Sequence, residues 1–175
     1  NTNLILSIIK LIEDKMNLEH DIREAGVQMI LLVEDSIRFY SSILPNLYNY
    51  ILEQSKNFSK EALNRHAATM RMRGRPKVVL ARTYEEAKKL YDKYSNNTLG
   101  VISDARFPLK SAAKAFGNEV EQEVKPEYGT DTFGREKCPD AGLQLFRYIR
   151  KNDSFVPLIL ESSESDNRAK AEAEG

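Results

Sequence analysis

One cysteine in 175 residues, Cys138, excludes a disulfide framework within the chain and a zinc centre built on cysteines. A lone thiol in a polar stretch reads as an ordinary loop residue. An excess of either charge is also missing. Lys plus Arg and Asp plus Glu each number 26, so nothing draws the chain in bulk to nucleic acid or an anionic membrane. No apolar run approaches the ~20 residues that a membrane helix needs. The first residues lack the basic start and small-residue cleavage site of a secretory signal. The sequons at Asn57 and Asn96 therefore carry no glycosylation message, and a cytoplasmic location is the expectation. What is present, 41% hydrophobic and 30% charged residues, suits one soluble globular domain with additions.

The spacing predicts a helix from Leu4 to about Glu24, with Ile5, Ile8, Ile9, Ile12 and Met16 on one stripe. Leu4, Leu11 and Leu18 form a second strip, and a helix apolar on two sides wants two neighbours. Its start has no convincing cap, which suggests a piece of something longer. Gly26 ends it, and a strand follows over Gln28–Val33. From Ser36 the residues Ile37, Tyr40, Leu44, Leu47, Tyr48 and Ile51 recur at helical spacing, with Pro45 expected to kink or restart the helix. A further helical segment is expected from about Ser59 to Met70, then a break at Arg75-Pro76 and a strand over Lys77–Ala81. Thr83-Tyr-Glu-Glu86 is a capping box opening a helix that carries Ala87, Leu90, Tyr91 and Tyr94. Leu99–Ser103 forms a third strand ending at Asp104, and a polar insertion runs from about Leu109 to Pro139. Asp140 is expected to cap a helix bearing Leu143, Phe146 and Ile149, before a fourth strand over Val156–Leu160 and a last Ala/Glu-rich helix.

Short apolar strands alternating with helices indicate an α/β fold, a doubly wound parallel sheet covered on both faces. In such sheets the functional crevice lies beyond the carboxyl ends of the strands. Three strands end there in polar groups: Glu34-Asp35, Asp104 and Ser162-Ser163. Crowded carboxylates repel, so one must hold its proton or a cation must join them. All-oxygen ligands with room for water suit Mg²⁺ better than zinc. Such a cation beside a carboxylate nucleophile, with Ser162 as hydroxyl donor, is an arrangement for phosphoryl transfer.

VEDS after the first strand, SDARFP after the third, AGLQLFRYIR beyond it and VPLILESS on the fourth resemble the receiver domain of bacterial response regulators. The resemblance covers about residues 28–175. It implies a flavodoxin-like receiver truncated before its fifth strand, with an added N-terminal helix. It implies Asp104 as phosphoacceptor, four residues before Pro108, and Ser162 as the switch hydroxyl. Glu34, Asp35, Asp104 and the carbonyl of Arg106 become the Mg²⁺ ligands. Arg106 and Glu164, each two residues beyond a key position, would flank the route of attacking water. The implied partner is a histidine kinase or histidine phosphotransfer donor, and the implied output is a regulatory switch whose own chemistry is self-phosphoryl transfer.

VEDSIRFYSSILPNLY with IIKLIEDKMNLEHD before it resembles the receiver-like region of phosphoenolpyruvate synthase-like proteins. That narrower match makes residues 1–26 the last helix of a preceding unit and 27–175 the receiver-like domain, with insertions at about 52–75 and 109–139. It allows a second reading, a pseudo-receiver that scaffolds adjoining domains or a homodimer. Receivers carry a lysine at the end of the fifth strand, and this chain stops before one. His20 and His66, on polar helical stretches, read as surface residues. The stretch Arg73-Gly-Arg-Pro-Lys77 resembles a minor-groove hook, which gives a nucleic-acid reading. A proline opening a strand after solvated arginines is the plainer account.

Overall fold

The computed structural model describes residues 2–62, 64–67, 69, 74–110, 129–131 and 134–162. Its elements are α1 (Thr2–Ala25), β1 (Met29–Val33), α2 (Ile37–Lys60), β2 (Lys77–Ala81), α3 (Tyr84–Tyr94), β3 (Thr98–Asp104), α4 (Ala141–Asn152) and β4 (Leu158–Glu161). The four strands pair in parallel in the order β2-β1-β3-β4. This is the first four places of the flavodoxin-like order, in which the chain reverses direction across the sheet between β1 and β3.

β1 is apolar throughout because it is central: Met29, Leu31, Leu32 and Val33 are all buried. Alternation then sends Leu31 and Val33 to one face and Leu32 to the other. The first face packs against Ala87 and Tyr91 of α3 and Leu145, Phe146 and Ile149 of α4. The second packs against Tyr40, Leu44, Tyr48 and Ile51 of α2. A Leu side chain buried as Leu44 is contributes about 1.5–3 kcal/mol.

Two of the predicted helix boundaries move. α2 runs through Pro45 without interruption and on to Lys60. One missing amide costs roughly 3 kcal/mol, which four buried anchors on the sheet exceed. Helical structure after α2 is described only at residues 65–67 and 69, later than the spacing predicts. The box at Thr83 forms, its hydroxyl accepting from the Glu86 amide at 3.2 Å while the Glu86 carboxylate accepts from the Arg82 amide at 2.9 Å. Asp140 stands at the start of α4 but makes no cap bond; its Oδ1 accepts from the Gln144 side chain at 3.0 Å.

The largest departure concerns α1. In the first stripe that the spacing marks, Ile5, Ile9, Ile12 and Met16 are more than half exposed and Ile8 is 39% exposed. The buried face carries Leu18 of the second strip, whose Leu11 also packs on the core, and with it Ser7 and Asp14. The reason is the free edge of β2, against which α1 lies. An edge strand presents unpaired amides, and the Val78 amide donates to Asp14 Oδ2 at 3.0 Å. Arg75 clasps the same carboxylate through Nη2 at 2.6 Å and Nη1 at 3.0 Å, and the Tyr48 hydroxyl donates to it at 3.0 Å. Burial, then the Asp14 charge, push ionisation of Tyr48 above its ordinary range, so the phenol stays a donor. Lys77 reaches Asp21 of α1 at 2.7 Å. Gly26, at φ +60°, then turns the chain from α1 into β1.

This network corrects the nucleic-acid reading of the basic stretch. Arg75 and Lys77 are 6% and 5% exposed and bound to carboxylates. Their charges are spent on holding α1 to the sheet and are not presented to a groove. Arg73 lies outside the described residues.

Candidate functional site

β1 and β3 are neighbours, so their carboxyl ends lie side by side at the point where the sheet order reverses. Glu34 and Asp35 leave β1 there, and Asp104 is the last residue of β3. One carboxylate oxygen from each lies within 4.8 Å of the others. Glu34 and Asp104 line a cleft of about 300 Å³, whose wall also carries Phe39, Arg106, Lys137, Glu161 and Ser162, with Asp35 buried behind them. The sequence-predicted residues Glu34, Asp35, Asp104, Arg106 and Ser162 are therefore brought together. Glu164, the other half of the expected gate, lies outside the described residues.

Each acid has a different environment. Glu34 is buried and accepts from the Ser36 amide at 2.9 Å. Its pKa is raised to about 7, first by burial and then by the charges of Asp104 and Asp35, against the opposing Ser36 bond. Asp104 accepts from the Ala105 amide at 2.7 Å, and burial raises its pKa despite that bond and one from the Arg106 amide. Asp35 has no exposed surface. Lys137 donates to its Oδ1 at 3.0 Å and lies 2.9 Å from Oδ2, which accepts no hydrogen bond. A fully buried carboxylate crowded by two more, all offering oxygen ligands, fits a hard divalent cation well. Glu34, Asp35 and Asp104 would hold it.

Sequence reasoning missed Lys137 and Gly142. Lys137 stands 33 residues after Asp104, within a polar insertion without periodicity, and nothing local marks it. The loop is tied across the end of β3, with the Cys138 amide donating to Phe107 O at 3.1 Å. Gly142 opens α4 directly over the Asp104 backbone, and its amide donates to Ala105 O at 3.1 Å. A glycine one residue into a helix was the available signal.

The raised Glu34 pKa gives a pH dependence with a definite sign. Free glutamate at 4.5 is ionised well before the folded residue, whose midpoint is about 7. Between those values the folded state binds more protons at Glu34, so this group's contribution to metal-free stability is fully present below 4.5 and is lost as the pH climbs through about 7. Asp104 contributes the same sign from 3.8 upward. Urea midpoints across that range should decline in the parent and flatten in Glu34→Gln. A parent profile that rises instead would show that the folded carboxyl is not held protonated.

No family model matches the chain, and no curated protein matches it. A solved structure similar to it is the crystal structure of a response regulator receiver domain protein from Clostridium thermocellum. The two are 18% identical with a TM-score of 0.44, over 85% of this chain and 77% of that one. So distant a likeness adds nothing to the strand order read directly from the sheet. No match ties the chain to phosphoenolpyruvate synthase-like proteins.

Proposed function

We propose that the chain is a receiver-type regulatory module whose Asp104 accepts a phosphoryl group. The observation that supports this best is the clustering of Glu34, Asp35 and Asp104 at the β1/β3 reversal, beside a cleft that Glu34 and Asp104 line. Glu34, Asp35 and Asp104, with the Arg106 carbonyl, would hold Mg²⁺, which when bound supplies charge neutralisation around the transferring phosphoryl group. An Asp104 oxygen attacks the phosphorus of a histidine-phosphate or acetyl-phosphate donor. The new O–P bond forms as the donor's P–N or P–O bond breaks, and the imidazole or acetate leaves with the electron pair. The Ser162 hydroxyl at the end of β4 then donates to the phosphoryl oxygens and shifts the population of two β4-end conformations.

The full chain with acetyl phosphate and Mg²⁺ should gain one phosphoryl group by mass spectrometry. Asp104→Asn should gain none, and calorimetry should show a Mg²⁺ site that Asp35→Asn loses. No modification of the parent, with the metal bound, would refute the phosphoacceptor role.

The exposed stripe Ile5, Ile9, Ile12 and Met16 on α1 favours a second reading, in which the same unit also scaffolds an adjoining domain or a second copy. Sedimentation of the parent and of Ile9→Glu would test it. Equal monomer masses for both, across concentration, would remove the second copy.

A further inference from the structure

The loop after β3 has no task in the reading above, yet it delivers a cation to Asp35, the one of the three clustered site carboxylates with no exposed surface. We propose that Lys137 is a tethered counter-ion that occupies Asp35 in the metal-free site. When a divalent ion takes Asp35, Lys137 is displaced and becomes the cationic ligand of a phosphoryl group on Asp104. The second half rests on the phosphoacceptor reading; the first does not.

The geometry supplies a fixed base and a movable head. The Lys137 amide donates to Gly129 O at 3.1 Å, and the next residue is bridged to Phe107. The strand-like turn that carries it is closed by Asp131, which accepts from the Arg135 amide at 2.8 Å and from its Nε at 2.7 Å. The lysine side chain itself is 21% exposed, whereas its partner Asp35 is fully buried. A flexible four-carbon stem on an anchored backbone lets the ammonium exchange partners without unfolding the loop.

Charge supplies the reason for the exchange. An unpaired buried carboxylate is costly, so without metal Asp35 needs this ammonium. A divalent ion shared with Glu34 and Asp104 outbids a single positive charge. Lys137 already acts electrostatically on both Glu34 and Asp104, partly opposing the rise that burial gives the pKa of each. It also lines the cleft into which a phosphoryl group on Asp104 would project. That group would bring further negative charge beside the Glu34 and Asp35 carboxyl groups, and the displaced ammonium is close enough to meet it.

Lys137→Met should therefore shift two binding constants in opposite directions, which a purely structural residue would not do. By calorimetry its Mg²⁺ affinity should rise roughly 5- to 30-fold, the factor that one or two kcal/mol represents. Its affinity for beryllofluoride, a phosphoryl mimic, should fall with Mg²⁺ saturating, and Lys137→Arg should restore it. Mg²⁺ affinity unchanged or weakened in a variant with a parental urea midpoint would overturn the tethered counter-ion. Should Lys137→Met not fold, the parent alone decides: Mg²⁺ should increase acylation of Lys137 by a small anhydride, and unchanged labelling overturns the exchange. Parent protein that binds Mg²⁺ but not beryllofluoride would refute the phosphoacceptor reading and the second half with it. The Mg²⁺ measurements would still judge the first half.

Discussion

Replacing Asp14 by alanine is expected to cost about 3–5 kcal/mol of folding free energy, the range for removing one partner of a buried ion pair. The carboxylate is fully buried and accepts from the Arg75 guanidinium, the Tyr48 hydroxyl and the Val78 amide. Truncation leaves a buried cation uncompensated, with a hydroxyl and an edge-strand amide unsatisfied beside it. The pair is not valuable because it is ionic. Exchanging both partners for apolar residues, as in Asp14→Leu with Arg75→Met, should recover much of the loss. Urea unfolding of the three proteins checks this. A loss below ~1 kcal/mol in Asp14→Ala, the range of an exposed pair, would mean that α1 is not docked on β2.

The second large effect is expected at Gly142. An alanine Cβ there would fall on the Asp104 carbonyl oxygen, 2.7 Å from Leu160 Cδ1 and 3.1 Å from Ala105 Cα. Helix propensity alone favours alanine over glycine by roughly 1 kcal/mol. The contact opposes it more strongly, because its nearest partner is the backbone of β3 and not a side chain that can rotate away. We expect Gly142→Ala to lose about 1–3 kcal/mol net, as overpacking does. Lifting α4 off the end of β3 would also move Asp104 relative to Asp35. Mg²⁺ affinity should therefore fall together with the urea midpoint. A variant as stable as the parent, with unaltered metal affinity, would show that α4 adapts without disturbing the site.

The elements that local pattern governs were legible. The four strands are short apolar runs, and each was found within a residue or two of its place. Glu34, Asp35 and Asp104 were legible as a cluster because polar residues ending buried parallel strands must converge on one edge. The apolar part of the α1 packing face, Leu11 and Leu18, was legible, but the buried Asp14 within it was not. The isoleucines of α1 obey helical periodicity, but the sheet edge needed an acceptor and so drew in Asp14. The run of α2 on to Lys60 was missed, and of the two outcomes expected at Pro45 a restart does not occur: burial of Tyr40, Leu44, Tyr48 and Ile51 outweighs one absent amide.

The sequence by itself determined the alternation of strands and helices, and with it a parallel sheet with acids at its carboxyl edge. Periodicity and strand ends are local properties, written within a few residues of each other. Only the tertiary structure decided which charges meet. Arg75 reaches Asp14 across 61 residues, and Lys137 reaches Asp35 across 102. Such partners are chosen by the strand order and by the cost of leaving a buried charge alone, and neither is a property of any short stretch of chain.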